Sequence, residues 1–577
     1  MNRNSLYILA CILFAVSFAN YAYGVTGTMV VAIATIFGAF MAINIGANDV
    51  ANNLGATVGA NAITITIAII IAAIFEFAGA MIAGGDVVST IKKGIINPAI
   101  IQDTTMFVNA MMAALLSAAL WLTLATWKGL PVSTTHSIVG GVMGAGIALG
   151  GFDIVNWSKM GSIAASWIIS PLVGGIIAAG ILFFIRRKIT LKEDKITAAK
   201  TWVPILISAM TLIFVTYLIL KGLKNIWPNI INGINIVSPY TFEVTKNPTL
   251  FAAILIASVI SILVYFFINP IIKKRADGIE NNKEGIYKLF TEAVIISAAA
   301  LCFAHGSNDV ANAVGPLAAI VDSMSSGNIN NKASIPLWVM LVGSSGLVVG
   351  LILYGPKLIK KVGHGIVRLT ILKAFAVNMS SAFTVVIASQ LGMPVSSTHI
   401  AIGAIFGVGF LHEFMDRHNN ALKKLQKRLI ISKEALEQLK TLREELDSEY
   451  LEIGNQIDQI KNDYVLFENE IKTKGENYEM SLEELNKDRI INTKLKILYR
   501  KQKKISNKKG EVCRDISESI NDLHERELKL SRYTKKEFIE RSYVRNIAAA
   551  WIITVPASAI MSGLIFIFIV GFNNLYR

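Results

Sequence analysis

The sequence predicts an all-α polytopic membrane protein built from two inverted repeats, and two observations carry that prediction. The first is solvent preference: of 577 residues 53% are hydrophobic and only 16% charged, a balance foreign to soluble globules. The second is self-similarity. GANDVANNLG at 46–55 returns as GSNDVANAVG at 306–315, and LPVSTTHSIVG at 130–140 returns as MPVSSTHIAIG at 393–403. A third pair, SIAASWIISPLVGG at 162–175 and NIAAAWIITVPASA at 546–559, follows in the same order.

Apolar windows long enough to cross a hydrocarbon core of ~30 Å lie near 5–23, 28–48, 63–84, 106–126, 161–185, 203–222, 249–268, 291–304, 334–354, 372–391 and 546–570. Allowing for broken spans, ten to twelve crossings are expected. The first window has Arg3 before an apolar run and small residues after it, as a secretory signal would. It serves equally as a first transmembrane helix, and residues 1–27 are taken as one. Cys11, Cys302 and Cys513 form no CxxC pattern and no metal-ligand spacing, which points to core or surface thiols.

The copies locate an insertion. The first two blocks are displaced by 260 and 263 residues, but Trp167 and Trp551 by 384, so some 120 residues are inserted between His399 and Trp551 relative to the first copy. Residues 412–545 hold 29 Lys/Arg and 26 Asp/Glu, against 26 and 14 in all the rest. Within them Leu446, Tyr450, Ile453, Ile457, Ile460, Tyr464, Phe467 and Ile471 alternate steps of four and three, a coiled-coil seam. A second apolar series, from Leu482 to Leu498, suggests a long antiparallel helical hairpin. The expected organisation is therefore an N-terminal helix (1–27), repeat 1 (28–185), a linker with two spans (186–289), and the first part of repeat 2 (290–411). The charged coiled-coil insertion (412–545) and a last helix of repeat 2 (546–577) complete it.

Charge sets the expected orientation. RRKITLKEDK at 186–195 and KKRADG at 273–278 belong on the cytoplasmic side, with the two linker spans between them. The second half then starts its first span from the inside and the first half from the outside, which inverts the repeats and leaves the insertion cytoplasmic. Inverted repeats with broken helices and re-entrant hairpins are the architecture of many secondary transporters, whose sites lie between the repeats.

The polar blocks specify chemistry for such a site. Asp49 and Asp309 sit in Asn-rich, Gly-containing stretches where a broken backbone is expected, and a carboxylate at membrane depth is kept chiefly where it lines a wet or ion-filled cavity. Carboxylate, amide and carbonyl oxygens together suit a hard cation; the bland alternative is an aspartate that caps a half-helix. Asn48, Asn52, Asn308 and Asn312 either join the cation site or satisfy freed backbone. Pro131 and Pro394 precede the hydroxyl runs Ser133-Thr134-Thr135 and Ser396-Ser397-Thr398. A helix N-terminus with hydroxyls attracts an oxyanion without fixed charge. Two such runs at matching positions favour an oxyanion bound beside cations over two simple N-caps. His136 and His399, which follow the runs, are expected to make structural hydrogen bonds.

These blocks resemble the inorganic phosphate transporter (PiT) family, whose hallmark is a duplicated GANDVANA-like sequence with a PVSTTH-like hairpin in each half. IFEFAGA at 74–80, TIKKGI at 90–95, SSAFTVVIAS at 380–389 and RNIAAAWIITVP at 545–556 are similar to family blocks as well. The resemblance implies an inverted-repeat carrier of phosphate with sodium. It places Asp49 and Asp309 among the ion and phosphate ligands, and Ser133, Thr134, Thr135, Ser396, Ser397 and Thr398 around the phosphate. Asn48, Asn52, Asn308 and Asn312 would join the two aspartates at sodium. Glu76 matches a glutamate important for transport in the sodium-coupled branch. Where that branch has a second glutamate, this chain has Asn378.

The expected function is sodium-coupled phosphate symport by alternating access, with no cofactor beyond the co-transported sodium. Proton-coupled uptake of phosphate, metal-phosphate or sulfate is the nearest alternative. A membrane scaffold or receptor acting through its coiled coil is the alternative from another class. An enzyme is not expected, since no nucleophile–base pair, nucleotide loop or metalloprotease spacing occurs. The net charge of +15 is spread over loops and reports contact with anionic lipid rather than nucleic acid. The expected location is the cell membrane, and a homodimer or a regulator bound through 416–540 are further expected partners.

Overall fold

The computed structural model describes residues 3–97, 100–101, 103–128, 132–224, 226–238, 243–329, 335–363, 369–417 and 541–575; the coiled coil expected within 412–545 falls almost wholly outside them. Among the described residues the chain is helical, with an isolated bridge between Ile96 and Val155. Twelve helices among the described residues are long and apolar enough to cross a membrane. The membrane unit comprises Met1–Val408 and Ser542–Arg577.

In chain order the helices are α1 (Arg3–Thr26), α2 (Met29–Gly59), α3 (Ile65–Ala83), the short α4 (Gly85–Lys93), α5 (Thr104–Lys128), α6 (Thr134–Gly150) and α7 (Trp157–Ile185). The linker contributes α8 (Lys195–Gly222), the short α9 (Trp227–Val237) and α10 (Leu250–Ala276). The second half has α11 (Lys283–Asp309), α12 (Ala311–Ser326), α13 (Leu337–Gly363), α14 (Ile371–Gln390), α15 (Ser397–Arg417) and α16 (Arg541–Leu575). Side chains set several starts: Thr64, Asn156, Asp194, Thr249, Asn282 and Thr370 each accept a bond from the amide three residues on. That is the N-cap geometry, which satisfies one of the donors a helix start leaves free.

α8 begins and α10 ends at the basic segments, so both of those ends lie on the cytoplasmic side by the positive-inside tendency. Counting back from α7, the α5–α6 hairpin opens outward and α2 starts outside, whereas α11 starts inside and the α14–α15 hairpin opens inward. This is the inverted arrangement. α1, α10 and α16 turn most of their apolar side chains outward, while α5 and α14 are mostly buried. The lipid-facing shell thus surrounds a core formed by the repeated helices.

The repeats interlock rather than lie side by side. Gly46 of α2 meets the Leu347 carbonyl of α13, and Gly306 of α11 meets the Glu76 carbonyl of α3, so that a Cβ at either glycine would overlap main chain. Each motif helix therefore packs on a helix of the opposite half. Gly144 of α6 lies on Ala559 of α16 and Gly407 of α15 lies on Gly175 of α7 in the same way, a pairing that repeats the displacements of 263 and 384. Small residues let helix backbones approach where lipid gives no hydrophobic drive. Gly306→Ala is expected to destabilise the protein by at least ~1–3 kcal/mol, since main chain cannot yield as a side chain can. Thermal unfolding of the purified variant in detergent checks this.

The break expected around Asp49 does not occur: α2 runs without interruption from Met29 to Gly59. It contains no proline, and the polar side chains of its motif find partners on other helices, so the backbone keeps its own ladder. In the second copy the ladder lapses only at Val310, between α11 and α12, where the amide still reaches the Gly306 carbonyl at 3.4 Å.

Candidate functional site

Asp49 on α2 and Asp309 at the end of α11 are both fully buried, and the tips of the two hairpins converge on them. Thr134 donates to Asp49 Oδ2 at 3.0 Å, and its counterpart Ser397 donates to Asp309 Oδ2 at 2.6 Å. Across the halves, Asn52 donates to Thr398 at 2.8 Å and Asn312 donates to Thr135 at 3.2 Å. These two pairs of contacts repeat the motif displacements, so one local geometry is built twice. Thr398 departs from the symmetry by donating to Asp49 Oδ1 at 3.0 Å, while Thr135 donates to the Val395 carbonyl at 2.9 Å. Asp49 thereby ties both hairpins together.

Asn48 completes the shell on the first side, where its favoured amide orientation donates to Asp49 Oδ1 and the Val132 carbonyl, each at 3.1 Å. On the second side Asn308 donates to Ser389 at 2.9 Å and to the Met393 carbonyl at 3.2 Å. The acceptors are less well served than the donors. Asp309 Oδ1, Asn308 Oδ1, Asn312 Oδ1, Asn53 Oδ1 and Glu76 Oε2 are buried and accept no hydrogen bond from the protein. A buried polar oxygen without a partner is costly, and a set of carboxylate and amide oxygens is what a hard cation needs.

Ser133 and Ser396 act as N-caps. The Ser133 hydroxyl accepts from the His136 amide at 3.1 Å and the Ser396 hydroxyl accepts from the His399 amide at 3.2 Å, which fixes the starts of α6 and α15. Each hydroxyl keeps its proton to donate. All six hydroxyl residues are buried, and the two helix starts direct their free N–H groups and positive dipole ends toward the aspartates.

The histidines that follow are ordered by ring packing. His136 lies 4.4 Å from His399 between ring centroids, with Trp167 3.8 Å from His136 and Trp551 3.7 Å from His399. Four rings thus form a column in which the two counterpart histidines meet.

Glu76 enters through a residue the motif comparison misses. His305 is fully buried one turn before Asp309, with Nε2 2.9 Å from Asp309 Oδ2 and 3.7 Å from Asp49 Oδ2. Its Nδ1 stands 3.2 Å from Glu76 Oε1, which also accepts from Asn53 at 2.8 Å. One ring therefore joins three carboxylates. Asp49, His305 and Asp309 form the one group among the described residues whose ligand atoms fall within 4.8 Å of one another. The repeat hides His305 because Ile45 holds the equivalent place in the first half; its i,i+4 spacing to Asp309 was the available signal.

Asn378, where the resembled branch has glutamate, is buried and donates to Thr57 at 2.8 Å and to Ser297 at 3.3 Å. Its position is served by hydroxyls, and its Oδ1 accepts no hydrogen bond. The site is therefore acidic on the Glu76 side and neutral on this one.

Residues 45–562 match the model of the phosphate transporter family. A protein of Helicobacter pylori (strain 26695) named "Putative phosphate permease" is 39% identical over all of this chain and 97% of its own length. A Pyrococcus abyssi protein of the same description is 40% identical over 65% of this chain and 87% of its own. A solved structure described as "The sodium-dependent phosphate transporter" is 34% identical, with a TM-score of 0.60 over 67% of this chain and 90% of that one. Sequence blocks, fold and the duplicated site thus agree, and the chain belongs to the phosphate transporter family, as a multi-pass membrane protein that transports phosphate and is not an enzyme.

Proposed function

We propose that the chain is a sodium–phosphate symporter in which sodium releases the phosphate ligands. The carrying observation is that Thr134, Ser397 and Thr398 all donate to the carboxylates of Asp49 and Asp309. The aspartates thus occupy hydroxyl donors that a phosphate would use. Sodium bound by these carboxylates, with Asn48, Asn52, Asn308 and Asn312 as amide neighbours, competes with the hydroxyls for the same oxygens. The donors of both hairpins, with Ser133, Thr135 and Ser396, then turn to phosphate beside the two helix starts. Cation and anion also screen each other in a low-dielectric interior, so each raises the other's affinity by the same factor.

The architecture supports transport by alternating access, since one hairpin opens outward and the other inward while both close on the same aspartates. The sodium-dependent phosphate transporter that the fold resembles supports this reading. Reconstituted in liposomes, the protein is expected to accumulate radiolabelled phosphate under an inward sodium gradient and to ignore excess sulfate. Accumulation driven by a proton gradient without sodium would replace the coupling ion, and inhibition by sulfate would replace the substrate.

A further inference from the structure

One charged cluster of the membrane unit lies outside this site and beside its outward side. Lys221, at the last turn of α8, forms an ion pair with Asp86 of α4, and Lys224 reaches the other oxygen of the same carboxylate at 3.3 Å. Two cations share one anion, leaving a net positive charge. The Lys221 side chain is only 7% exposed, whereas Asp86 and Lys224 are 37% and 45% exposed. The cluster therefore opens to solvent on one side and is enclosed on the other. Because α8 starts at the basic, cytoplasmic side, Lys221 lies at the outward end.

The enclosed side is linked to the aspartates by hydrogen bonds and chain neighbours. Tyr217, one turn before Lys221 on α8, donates to Ser307 at 3.0 Å, and Ser307 adjoins Asn308 and Asp309. The Lys221 ammonium also lies 3.4 Å from the Gln390 carbonyl at the end of α14. Next to it, Thr90 of α4 donates to the Gly392 carbonyl at 2.7 Å, and Met393 receives the Asn308 amide. The tip of the inward-opening hairpin is thus contacted by Lys221, which also holds Asp86, and by Thr90 of α4.

We infer that Lys221 and Lys224 form an outer phosphate subsite on the route to Asp49 and Asp309, in which Asp86 is the resident anion that an arriving phosphate displaces. A phosphate dianion offers the two ammonium groups more charge and more acceptor oxygens than a single carboxylate, and a basic mouth raises the local concentration of an anionic substrate. Burial pushes the Asp86 carboxyl up, but its Lys221 and Lys224 partners outweigh this and hold it below the ordinary carboxylate range. The displaced group is thus a charged competitor. Drawing Lys221 toward phosphate also removes its hold on the Gln390 carbonyl, so occupancy loosens the hairpin tip that separates the subsite from the aspartates. This inference rests on the reading of the chain as a phosphate carrier.

The test is initial phosphate uptake by cells whose own phosphate uptake has been removed, so that the outer face meets the substrate. The double variant Lys221→Gln/Lys224→Gln is expected to raise the phosphate KM about fivefold or more with Vmax within about twofold. Lys224→Gln alone, at the more exposed position, is expected to give part of that rise, and Asp86→Asn to lower KM. Restoring charge with Lys221→Arg/Lys224→Arg should return KM toward that of the unaltered protein. Phosphate KM unchanged in Lys224→Gln, or lowered Vmax at constant KM in the double variant, overturns the subsite and leaves the carrier reading intact. No phosphate uptake by the unaltered protein in the membrane overturns both.

Discussion

Asp309→Asn is expected to abolish sodium-driven phosphate uptake while leaving the folded protein in the membrane. Asparagine has the same shape, and its Oδ1 can still accept the Ser397 proton that Asp309 Oδ2 receives at 2.6 Å. What is lost is a full charge at the proposed ion ligand. Truncating one partner of a buried, hydrogen-bonded charge pair costs ~2–5 kcal/mol, so uptake should fall by about 10²-fold or more. The same change at Asp49 is less discriminating, because Asp49 accepts from Thr134 with one oxygen and from Thr398 with the other, and an amide nitrogen can accept neither. If Asp309 merely ordered the hairpin, the asparagine variant would transport normally.

The second large effect is expected at His305. Its ring stands at ion-pair distance from Glu76, Asp309 and Asp49, all fully buried. His305→Ala leaves three carboxylates facing each other without the group between them, and breaking a buried pair of this kind costs ~3–5 kcal/mol. Uptake should be lost and thermal unfolding in detergent should move to a clearly lower temperature. His305→Gln, which retains one amide donor, should recover part of the thermal stability with weakened sodium dependence. Unaltered unfolding and unaltered uptake in His305→Ala would show that the ring is filler.

Much of this site was legible in the sequence because it is written twice. The repetition of Asp49 as Asp309, and of Thr134 as Ser397, identified residues that meet in space although 260 positions separate the copies. The interlocking of the halves was not legible. That Gly46 faces the Leu347 carbonyl depends on which helix of the opposite half lies beside α2, and a motif only reports that small residues are present. His305 was missed for the complementary reason: it has no copy, so a comparison of repeats passes over it.

The continuous helix through Asp49 teaches a further point. Asparagine and glycine in an apolar segment suggested a break, because these residues are weak helix formers. Inside the bundle, however, Asn52 and Asn53 spend their amides on Thr398 and Glu76, and the backbone has no reason to open. Likewise the hydroxyl runs read as phosphate ligands, but Ser133 and Ser396 also serve as N-caps. N-capping leaves each hydroxyl able to donate to the proposed phosphate, because a hydroxyl accepts and donates at once.

In the proposed mechanism sodium draws Asp49 and Asp309 away from the hydroxyls and so creates the phosphate site. Equilibrium binding of phosphate to the purified protein, in sodium and in an equal concentration of choline, tests it most directly. A phosphate Kd at least about tenfold tighter in sodium, with a matching increase in sodium affinity when phosphate is present, is the expected result. Equal phosphate affinity in the two salts would contradict it, for the carboxylates would then not be competing with phosphate for Thr134, Ser397 and Thr398.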